Sequence, residues 1–419
     1  MPLSLLFGLA LCVRLVFCFA SDLTFFSTDS YSYIETAENL LAKGGLDSKW
    51  PPGYPISIAA IYALFGDSPA ALVVFNCLLE AVTVCLIFLI ARTAVLETIP
   101  KNTNAGRSAS SNNTAISPSL WQRRIWAMLP WLAALALTFH PNVLNFTRQI
   151  LSETLAGSLL VTAVYFALKG HPGWTGLFMG LCLLTRPSAL FVAPILLAAC
   201  ATRAPAGQRG RAIGIAVLTL LISVFPASLK ASLETKSFSL VSTNGPTNII
   251  QAVGIDPDGY KIEWSGEIVK TNFPMKLKEG ALHYYFRFAA THPKRFLKQR
   301  LLSLYVFFSP WPLEDHYSIP RKVLCALFRI PTYLLAAVAV VWLHLRHRYD
   351  LLLALAGPVA GLAVMHTVTH ADNRFTAMVE PLLMVLAILS LVSLSTAHRS
   401  WFNAAGLYVT RSRKMVRKP

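Results

Sequence analysis

The sequence predicts an all-α polytopic membrane protein with about ten transmembrane helices. Of its 419 residues, 55% are hydrophobic and 14% are charged, and the mean hydropathy is +0.53. Soluble proteins carry about 25% charged residues, so this composition indicates a chain that lies mostly in lipid. The apolar runs are continuous and lack an alternation of period two, which favours helices over a β-barrel.

Ten apolar runs are long enough, or nearly long enough, to cross a bilayer, which takes about 20 helical residues. We predict spans at about 3–20, 69–91, 124–139, 153–168, 174–185, 188–202, 212–229, 321–343, 351–368 and 375–395. The first run could imitate a signal peptide, but no cationic segment precedes it and Arg14 lies inside it, so we expect an uncleaved span. Residues 54–66 are apolar but short, and we place them as a helix along the outer surface. The alternative is a full span, which would invert every later segment.

Basic residues decide between these two topologies, because Lys and Arg are enriched in cytoplasmic loops. With the N-terminus inside and 54–66 at the surface, nearly every basic cluster falls on one side: Arg92, Lys101, Arg107, Arg123, Arg124, Lys169, Arg203, Arg209, Arg211, Arg346, Arg348 and the tail from Arg399 to Lys418. This side is therefore predicted to be cytoplasmic. The net charge of +17 points to membrane lipids, and not to nucleic acid, as partners.

The chain divides into four predicted parts: a membrane module at 1–229 with its first outer loop at 21–68, an outer loop with a juxtamembrane helix at 230–310, C-terminal transmembrane helices at 311–395, and a basic cytoplasmic tail at 396–419. The Ser-, Asn- and Thr-rich loop 97–120 predicts a flexible insertion. Turns are predicted at 244–246 and 256–259, and a basic amphipathic helix at 292–302. The seven cysteines lie in or beside apolar runs without metal-ligand spacing, so we expect core residues.

Three arginines stand at predicted outer ends of spans, where basic residues are unexpected. Arg148 precedes the fourth span, Arg186 lies in a tight turn between two apolar spans, and Arg374 precedes the last span. Charges at membrane depth are costly and usually face a polar cavity. Guanidinium groups match phosphate oxygens, so three on one face would suit a monophosphate or a diphosphate. The alternative for each is snorkelling to lipid headgroups.

Carboxylates gather on the same predicted side: Asp29, Glu35, Glu38, Glu153 and Asp372. Asp29 could instead be the N-cap of a helix over 30–43, although neighbouring serines could cap equally well. Glu153 could simply complement the dipole of the helix that it begins. A carboxylate beside arginines can accept the proton of an attacking hydroxyl while the arginines stabilise a leaving phosphate. That phosphate would belong to a lipid carrier in the outer leaflet.

A series of short motifs runs in order along most of the chain. They are Asp29-x-x-x-Tyr33-x-x-x-Ala37-x-x-Leu40-x-x-x-Gly44, Pro51-Pro52-Gly53-Tyr54-Pro55, Leu64-Phe65-Gly66, Gly180-Leu181-Cys182-Leu183-Leu184-Thr185-Arg186-Pro187, Ser242-Thr243-Asn244-Gly245-Pro246-Thr247-Asn248, His292-Pro293 through Phe308-Ser309-Pro310, and His370-x-x-x-Arg374-Phe375. Together they resemble the GT-C-fold glycosyltransferases, in particular the bacterial glycosyltransferase family 39-like proteins. These are kin to the protein O-mannosyltransferases and to the lipid A aminoarabinose transferase.

The resemblance implies a GT-C fold with juxtamembrane helices in the first outer loop and one long outer loop. It also implies an inverting hexosyl- or pentosyltransferase that uses a polyprenyl-phosphate-linked sugar and a first-loop Asp as general base. Together with the charges described above, this predicts a site with Asp29 and Glu153 as catalytic residues, Arg186, Arg374 and Arg148 as donor phosphate ligands, and Tyr33, Tyr54 and His370 as substrate-binding residues.

Three positions depart from the family pattern: Ser30 stands where many members carry a second acid directly after the first-loop Asp, Glu153 is the best match to the family's second acidic position, which is often Asp, and Phe375 stands for a Tyr. No cofactor is predicted, and a divalent metal is left open. The acceptor would be a lipid, a glycan or a protein, at a site of the inner membrane that faces the periplasm or the exterior.

A transporter or flippase of a lipid-linked or anionic solute is the alternative function. It would favour ionisable residues at mid-span and an inverted repeat. The charges here crowd at one face, and the two halves show no matching broken helices. A third hypothesis, a noncatalytic membrane subunit, would tolerate loss of Asp29 and of the arginines.

Overall fold

The computed structural model describes residues 2–20, 26–99, 120–253, 280–313 and 318–395, and within these ranges every regular element is helical. The helices are α1 (Leu3–Ala20), α2 (Thr28–Lys43), α3 (Gly53–Phe65), α4 (Pro69–Thr98), α5 (Leu120–Thr138), α6 (Pro141–Thr147), α7 (Ser152–Leu168), α8 (Pro172–Thr185), α9 (Val192–Thr202), α10 (Arg209–Thr235), α11 (Gly245–Val253), α12 (Ala281–Thr291), α13 (Pro293–Phe307), α14 (Ile319–Leu345), α15 (Tyr349–Val368) and α16 (Glu380–Ser395), with 3₁₀ helices at Pro187–Phe191, Ala206–Gln208 and Asn373–Met378. The predicted turn at 256–259, the tail 396–419 and most of the loop 97–120 lie outside the described residues.

The prediction of an all-helical membrane protein is confirmed. Among the described residues, five helices are long and apolar enough to cross a membrane, and α5 with α6, bent by 53°, counts as a sixth if taken as one span. The other predicted spans fall on shorter apolar helices, namely α7, α8, α9 with its preceding 3₁₀ turn, and α16. The predicted number of ten crossings rests on those shorter helices.

Ion pairs at one end of the bundle join loops that are distant in sequence. Arg203 Nη1 lies 2.8 Å from Glu97 Oε2, and Arg203 Nη2 lies 3.0 Å from Asp350 Oδ2. Arg348 Nη2 lies 2.9 Å from the same Glu97 oxygen. Members of three predicted cytoplasmic clusters therefore meet at one end of the helices, which we call the Glu97 end.

Helix α3 begins and ends on the opposite side, as predicted for residues 54–66. Its first residue, Gly53, packs so tightly against the end of α8 that an added Cβ would lie 2.6 Å from Thr185 Oγ1. Helix α4 starts only a few residues after α3, and Asn76 in its first turns donates a hydrogen bond to the carbonyl of Gln149, just before α7. Since α8 ends and α7 begins on this side, α3 does not cross the bundle.

Pairs of glycines four residues apart bring helices into close contact. A Cβ on Gly176 of α8 would lie 2.0 Å from the carbonyl oxygen of Ala216 in α10, and Gly180 lies one turn further along the same contact. On α15, a Cβ on Gly357 would lie 2.3 Å from a side-chain carbon of α9, and one on Gly361 3.0 Å from a backbone oxygen before α9. Small residues at this spacing are typical of packed membrane helices. They fix the helices whose ends carry the site described below.

The structure corrects the prediction that the charges crowd at one face. Arg14 of α1 pairs with Glu80 of α4 at 3.6 Å, and both side chains are buried. Arg329, in the middle stretch of α14, pairs with Glu380 of α16, again with both side chains buried. Helix packing places each arginine beside an acid of a distant segment, which lowers the cost of a charge at membrane depth.

The structure can be compared with three further predictions, for a helix, a turn and the cysteines. The predicted helix at 292–302 is α13. The turn predicted at 244–246 is displaced to 243–244, because α11 already begins at Gly245. Five of the seven cysteines are buried, as expected for core residues, whereas Cys12 is exposed and Cys85 is half-buried.

Candidate active site

Asp29 lies in the first turn of α2 but does not cap it. The N-cap is Ser27, whose hydroxyl accepts from the backbone N–H of Ser30 at 3.3 Å, while Ser30 Oγ accepts from the N–H of Ser27 at 3.1 Å. This reciprocal pair satisfies the helix start. The carboxylate of Asp29, 28% exposed, instead accepts a hydrogen bond of 2.8 Å from Arg374 Nη2.

Arg374 lies on the 3₁₀ helix between α15 and α16, where three carboxylates surround its guanidinium. Besides Asp29, its Nε lies 3.4 Å from Glu153 Oε1 and 3.3 Å from Asp372 Oδ2. Asp372 also caps the 3₁₀ helix by accepting from the N–H of Arg374 at 3.0 Å. Although burial opposes its charge, the three carboxylates raise the pKa of Arg374 above its usual value. This cation is therefore fixed in place and permanently charged.

Glu153, in the first turn of α7, lies between two guanidinium groups. Its Oε1 is 2.8 Å from Nη1 of Arg186, and Arg374 approaches the same oxygen. The side chain is 1% exposed, yet neither ion pair has hydrogen-bond geometry, and neither oxygen has a hydrogen-bond partner among the described residues. A buried acceptor without a hydrogen bond is costly. Glu153 is thus a group that a hydroxyl or water at this site would satisfy.

Arg186 ends α8 in an extended conformation, and Pro187 follows it, so the helix stops there. Its Nη1 also donates to Ser152 Oγ at 3.1 Å. The guanidinium carbon lies 4.5 Å from the ring centroid of Phe375, and that of Arg374 lies 5.2 Å from the same ring. Phe375 thus serves as an aromatic platform for both cations, a role that needs no hydroxyl group.

His370 lies beside this platform, with its ring edge toward Phe375 at 6.0 Å between centroids. Its carbonyl accepts a hydrogen bond of 2.9 Å from His366 Nδ1. Burial and the positive charge of Arg374 lower the pKa of His370 to about 3. The imidazole is therefore neutral at physiological pH.

The two predicted substrate-binding tyrosines form an aromatic layer under α2. Tyr33 places its hydroxyl 3.4 Å from Ser152 Oγ, and its ring meets those of Trp50 and Tyr54 edge-on, each at 5.3 Å between centroids. Burial raises the pKa of Tyr33. Tyr54 is 1% exposed and packs against Tyr33, and its assignment to substrate binding stays a prediction.

The structure brings Asp29, Glu153, Arg186 and Arg374 together, whereas Arg148 is the C-cap residue of α6. The assignment of Arg148 to a donor phosphate stays a prediction. Sequence reasoning missed the pair Arg329–Glu380 behind the site. The signal was available, because ionisable residues inside apolar runs are rare and usually functional.

The chemistry of the site follows from these contacts. Asp29, which is 28% exposed, is the most accessible of these carboxylates, and two guanidinium groups lie around the buried Glu153. Such a set can hold an anionic group and take a proton from a neighbouring hydroxyl. Within the part of the chain that the structure describes, no three His, Cys, Asp or Glu side chains are grouped as metal ligands.

No protein-family model and no curated protein matches the chain. Two solved structures of ArnT from Cupriavidus metallidurans are similar to it. The one bound to undecaprenyl phosphate aligns with a TM-score of 0.43 and 13% identity over 93% of this chain and 77% of that chain. The apo structure aligns with a TM-score of 0.40 and 14% identity over 92% and 76%.

Proposed function

We propose that the chain is a GT-C-type membrane glycosyltransferase that moves a sugar from a polyprenyl-phosphate donor to an acceptor hydroxyl. The observation that supports this most is the contact of Asp29 with Arg374, because it joins a candidate base to a candidate phosphate ligand. Arg186 adds a second cation through their shared neighbour Glu153. The reaction class is inferred from the motifs that resemble the family, and the role of each side chain is inferred from its contacts.

In the proposed step the acceptor hydroxyl attacks the anomeric carbon while Asp29 accepts its proton. The new carbon–oxygen bond forms as the bond between the anomeric carbon and the phosphate oxygen breaks. The electron pair leaves with the phosphate, which stays on its lipid carrier, and inversion at the anomeric carbon follows. Arg186 and Arg374 stabilise the charge that develops on this phosphate. Glu153 orients both guanidiniums and offers an oxygen to a sugar hydroxyl.

We place this reaction on the outer face of the membrane. The site lies at the end of the bundle opposite Glu97, Arg203 and Arg348, and cytoplasmic loops are the ones enriched in Arg and Lys. A lipid-linked donor suits a site at the mouth of apolar helices, since its chain stays in the bilayer while its phosphate reaches the arginines.

The test is Asp29→Asn in membranes supplied with lipid-linked sugar. We expect loss of transfer by at least about 100-fold, the usual contribution of a general base. Asp47→Asn is the matched control, since Asp47 lies in the same outer loop and its carboxylate accepts only from the backbone of Lys49 among the described contacts. Full transfer by Asp29→Asn would refute the assignment. The lipid-linked sugars that accumulate in a deletion strain would identify the donor.

The alternative, a transporter or flippase, gains two observations, because the ionisable pairs Arg14–Glu80 and Arg329–Glu380 both lie inside the bundle. In each pair the arginine contacts the acid of another helix, and all four side chains are buried. A proteoliposome assay separates the two functions. A transporter would move a short-chain lipid phosphate across the bilayer without sugar transfer, and Asp29→Asn would spare that movement.

A further inference from the structure

A buried hydrogen-bond network lies directly behind Arg374. Its centre is Arg329 of α14, whose side chain is fully buried in the bundle. Arg329 Nη1 donates to Asn373 Oδ1 at 2.9 Å, and its Nη2 donates to Thr376 Oγ1 at 2.8 Å. These two acceptors stand on either side of Arg374 in the 3₁₀ helix. The guanidinium of Arg329 therefore hydrogen-bonds to the segment that carries Arg374.

Arg329 is itself held from the far side. Its Nε donates to Glu380 Oε1 at 2.6 Å, and its Nη2 also contacts that carboxylate. Asn142 at the start of α6 donates to both Glu380 oxygens, at 3.0 and 3.1 Å. The carbonyl of Ser309, after α13, accepts from both Arg329 and Asn373 at 2.9 Å. Helices α14, α16 and α6 and the segment after α13 thus meet in one network around Arg329.

Helix α7 also packs against the 3₁₀ helix. Gly157 of α7 packs against it so closely that an added Cβ would lie 3.2 Å from the Cα of Met378. Helix α7 also carries Glu153, which contacts Arg374. The 3₁₀ helix therefore lies between the Arg329 network and the helix that bears the buried carboxylate of the site.

We propose that Arg329 is a positioning residue, which fixes Arg374 toward Asp29 and Glu153 and toward the donor phosphate. The choice of phosphate as ligand rests on the proposed function, whereas the positioning does not. A 3₁₀ helix has poorer hydrogen-bond geometry than an α-helix, and runs longer than about four residues are uncommon, so this six-residue segment gains from bonds made by its neighbours. A buried ion pair adds little stability over apolar packing, so directional hydrogen bonds are what Arg329 supplies.

The alternative is that the network only stabilises the fold, and a double-mutant cycle separates the two roles. Thr376→Val removes one acceptor of Arg329 while keeping the shape of the side chain, which avoids uncovering a buried charge. Thr376→Ser restores the hydroxyl. Thr138→Val is the matched control, because Thr138 is fully buried and its hydroxyl donates only within its own helix, to Ala134.

The first readout is the Kd of the full chain in lipid nanodiscs for undecaprenyl phosphate. We expect Thr376→Val to weaken binding by about 3- to 10-fold, the value of one hydrogen bond, with Thr376→Ser and Thr138→Val near wild type. In an Arg374→Gln background, adding Thr376→Val should raise the Kd by less than about twofold, since there is no guanidinium left to position. An equal loss in both backgrounds, or no loss in the wild-type background, would overturn the proposal.

The second readout works even if Arg374 binds no phosphate. Should Arg374→Gln leave the Kd unchanged, the donor assignment fails, and the positioning is judged by thermal stability alone. Asp29→Asn removes the ion pair with Arg374 and should lower the thermal midpoint. If Arg329 positions Arg374, the fall in thermal midpoint caused by Asp29→Asn should be at most half as large in the Thr376→Val background. An unaltered shift in the Thr376→Val background would refute the positioning role.

Discussion

Asp29 and the donor phosphate should compete for the same cation, and this competition gives a prediction of opposite signs in two assays. In the structure, Asp29 Oδ2 accepts from Arg374 Nη2 at 2.8 Å. A phosphate that accepts from the same Nη2 has to replace this carboxylate. Asp29→Asn keeps the shape of the side chain but removes the competing charge. We therefore expect the variant to bind polyprenyl phosphate more tightly while it transfers no sugar.

The magnitude follows from the geometry of this pair. A hydrogen bond to a charged group contributes about 1.5–3 kcal/mol, and a neutral one about half as much. Because the Asp29 and Arg374 side chains are 28% and 17% exposed, solvent screening places the value at the lower end of that range. Replacing the carboxylate by an amide should remove about 1 kcal/mol of competition. That corresponds to about a fivefold decrease in Kd.

The assay is a titration of undecaprenyl phosphate against purified protein in nanodiscs, beside a transfer assay on the same samples. Asp47→Asn should leave both quantities unchanged, and Arg374→Gln should weaken binding. A folding defect lowers affinity and activity together, so tighter binding with lost transfer cannot arise from misfolding. An unchanged or increased Kd for Asp29→Asn would refute the reasoning.

Three further predictions concern stability. Glu380→Gln leaves the buried guanidinium of Arg329 without its counter-charge, so we expect a loss of about 3–5 kcal/mol in the free energy of unfolding, seen as a fall in the thermal midpoint; an unchanged midpoint would contradict the buried pair. Gly176→Ala would place a Cβ 2.0 Å from a backbone oxygen of α10 and should cost about 1–3 kcal/mol, whereas Gly173→Ala, with its nearest atom at 3.8 Å, should melt like wild type. Burial lowers the pKa of His370 to about 3, so between that pH and about 6.5 the unfolded chain binds more protons than the folded one. The contribution of His370 to the free energy of unfolding is then fully present above about pH 6.5, and it falls on acidification by up to about 1.4 kcal/mol per pH unit. Thermal melts of His370→Gln should show a smaller dependence of stability on pH.

The helical class and the two ends of the bundle could be predicted from the sequence because both depend on local composition. An apolar run such as 69–91 has no other stable form in lipid, and the basic clusters mark one end of each helix pair. Asp29, Glu153 and Arg186 could be selected for a similar reason, since each stands beside an apolar run where charge is unexpected. Choosing Ser27 over Asp29 as the cap needed the structure, because both residue types cap helices well.

The partners of these residues could not be predicted, since they depend on tertiary packing across long separations. Asp29 and Arg374 are 345 residues apart, and Arg329 is 51 residues from Glu380. The last span, predicted at about 375–395, begins in the structure with a 3₁₀ helix to Met378 and becomes an α-helix only from Glu380. There, side-chain hydrogen bonds from Arg329 hold a conformation that local propensity alone would not select.

The contact of Gly53 with the end of α8 limits how the site can open. Enzymes often admit substrates by lifting a loop away from the reacting groups. Here a Cβ at Gly53 would lie only 2.9 Å from backbone atoms of Leu184 and Thr185, so the start of α3 and the residue before Arg186 are in direct backbone contact. The first outer loop is thus fastened at its C-terminal half to the turn that presents Arg186. We therefore expect Gly53 to move with the end of α8, so that any change in the position of Asp29 relative to Arg186 has to come from α2.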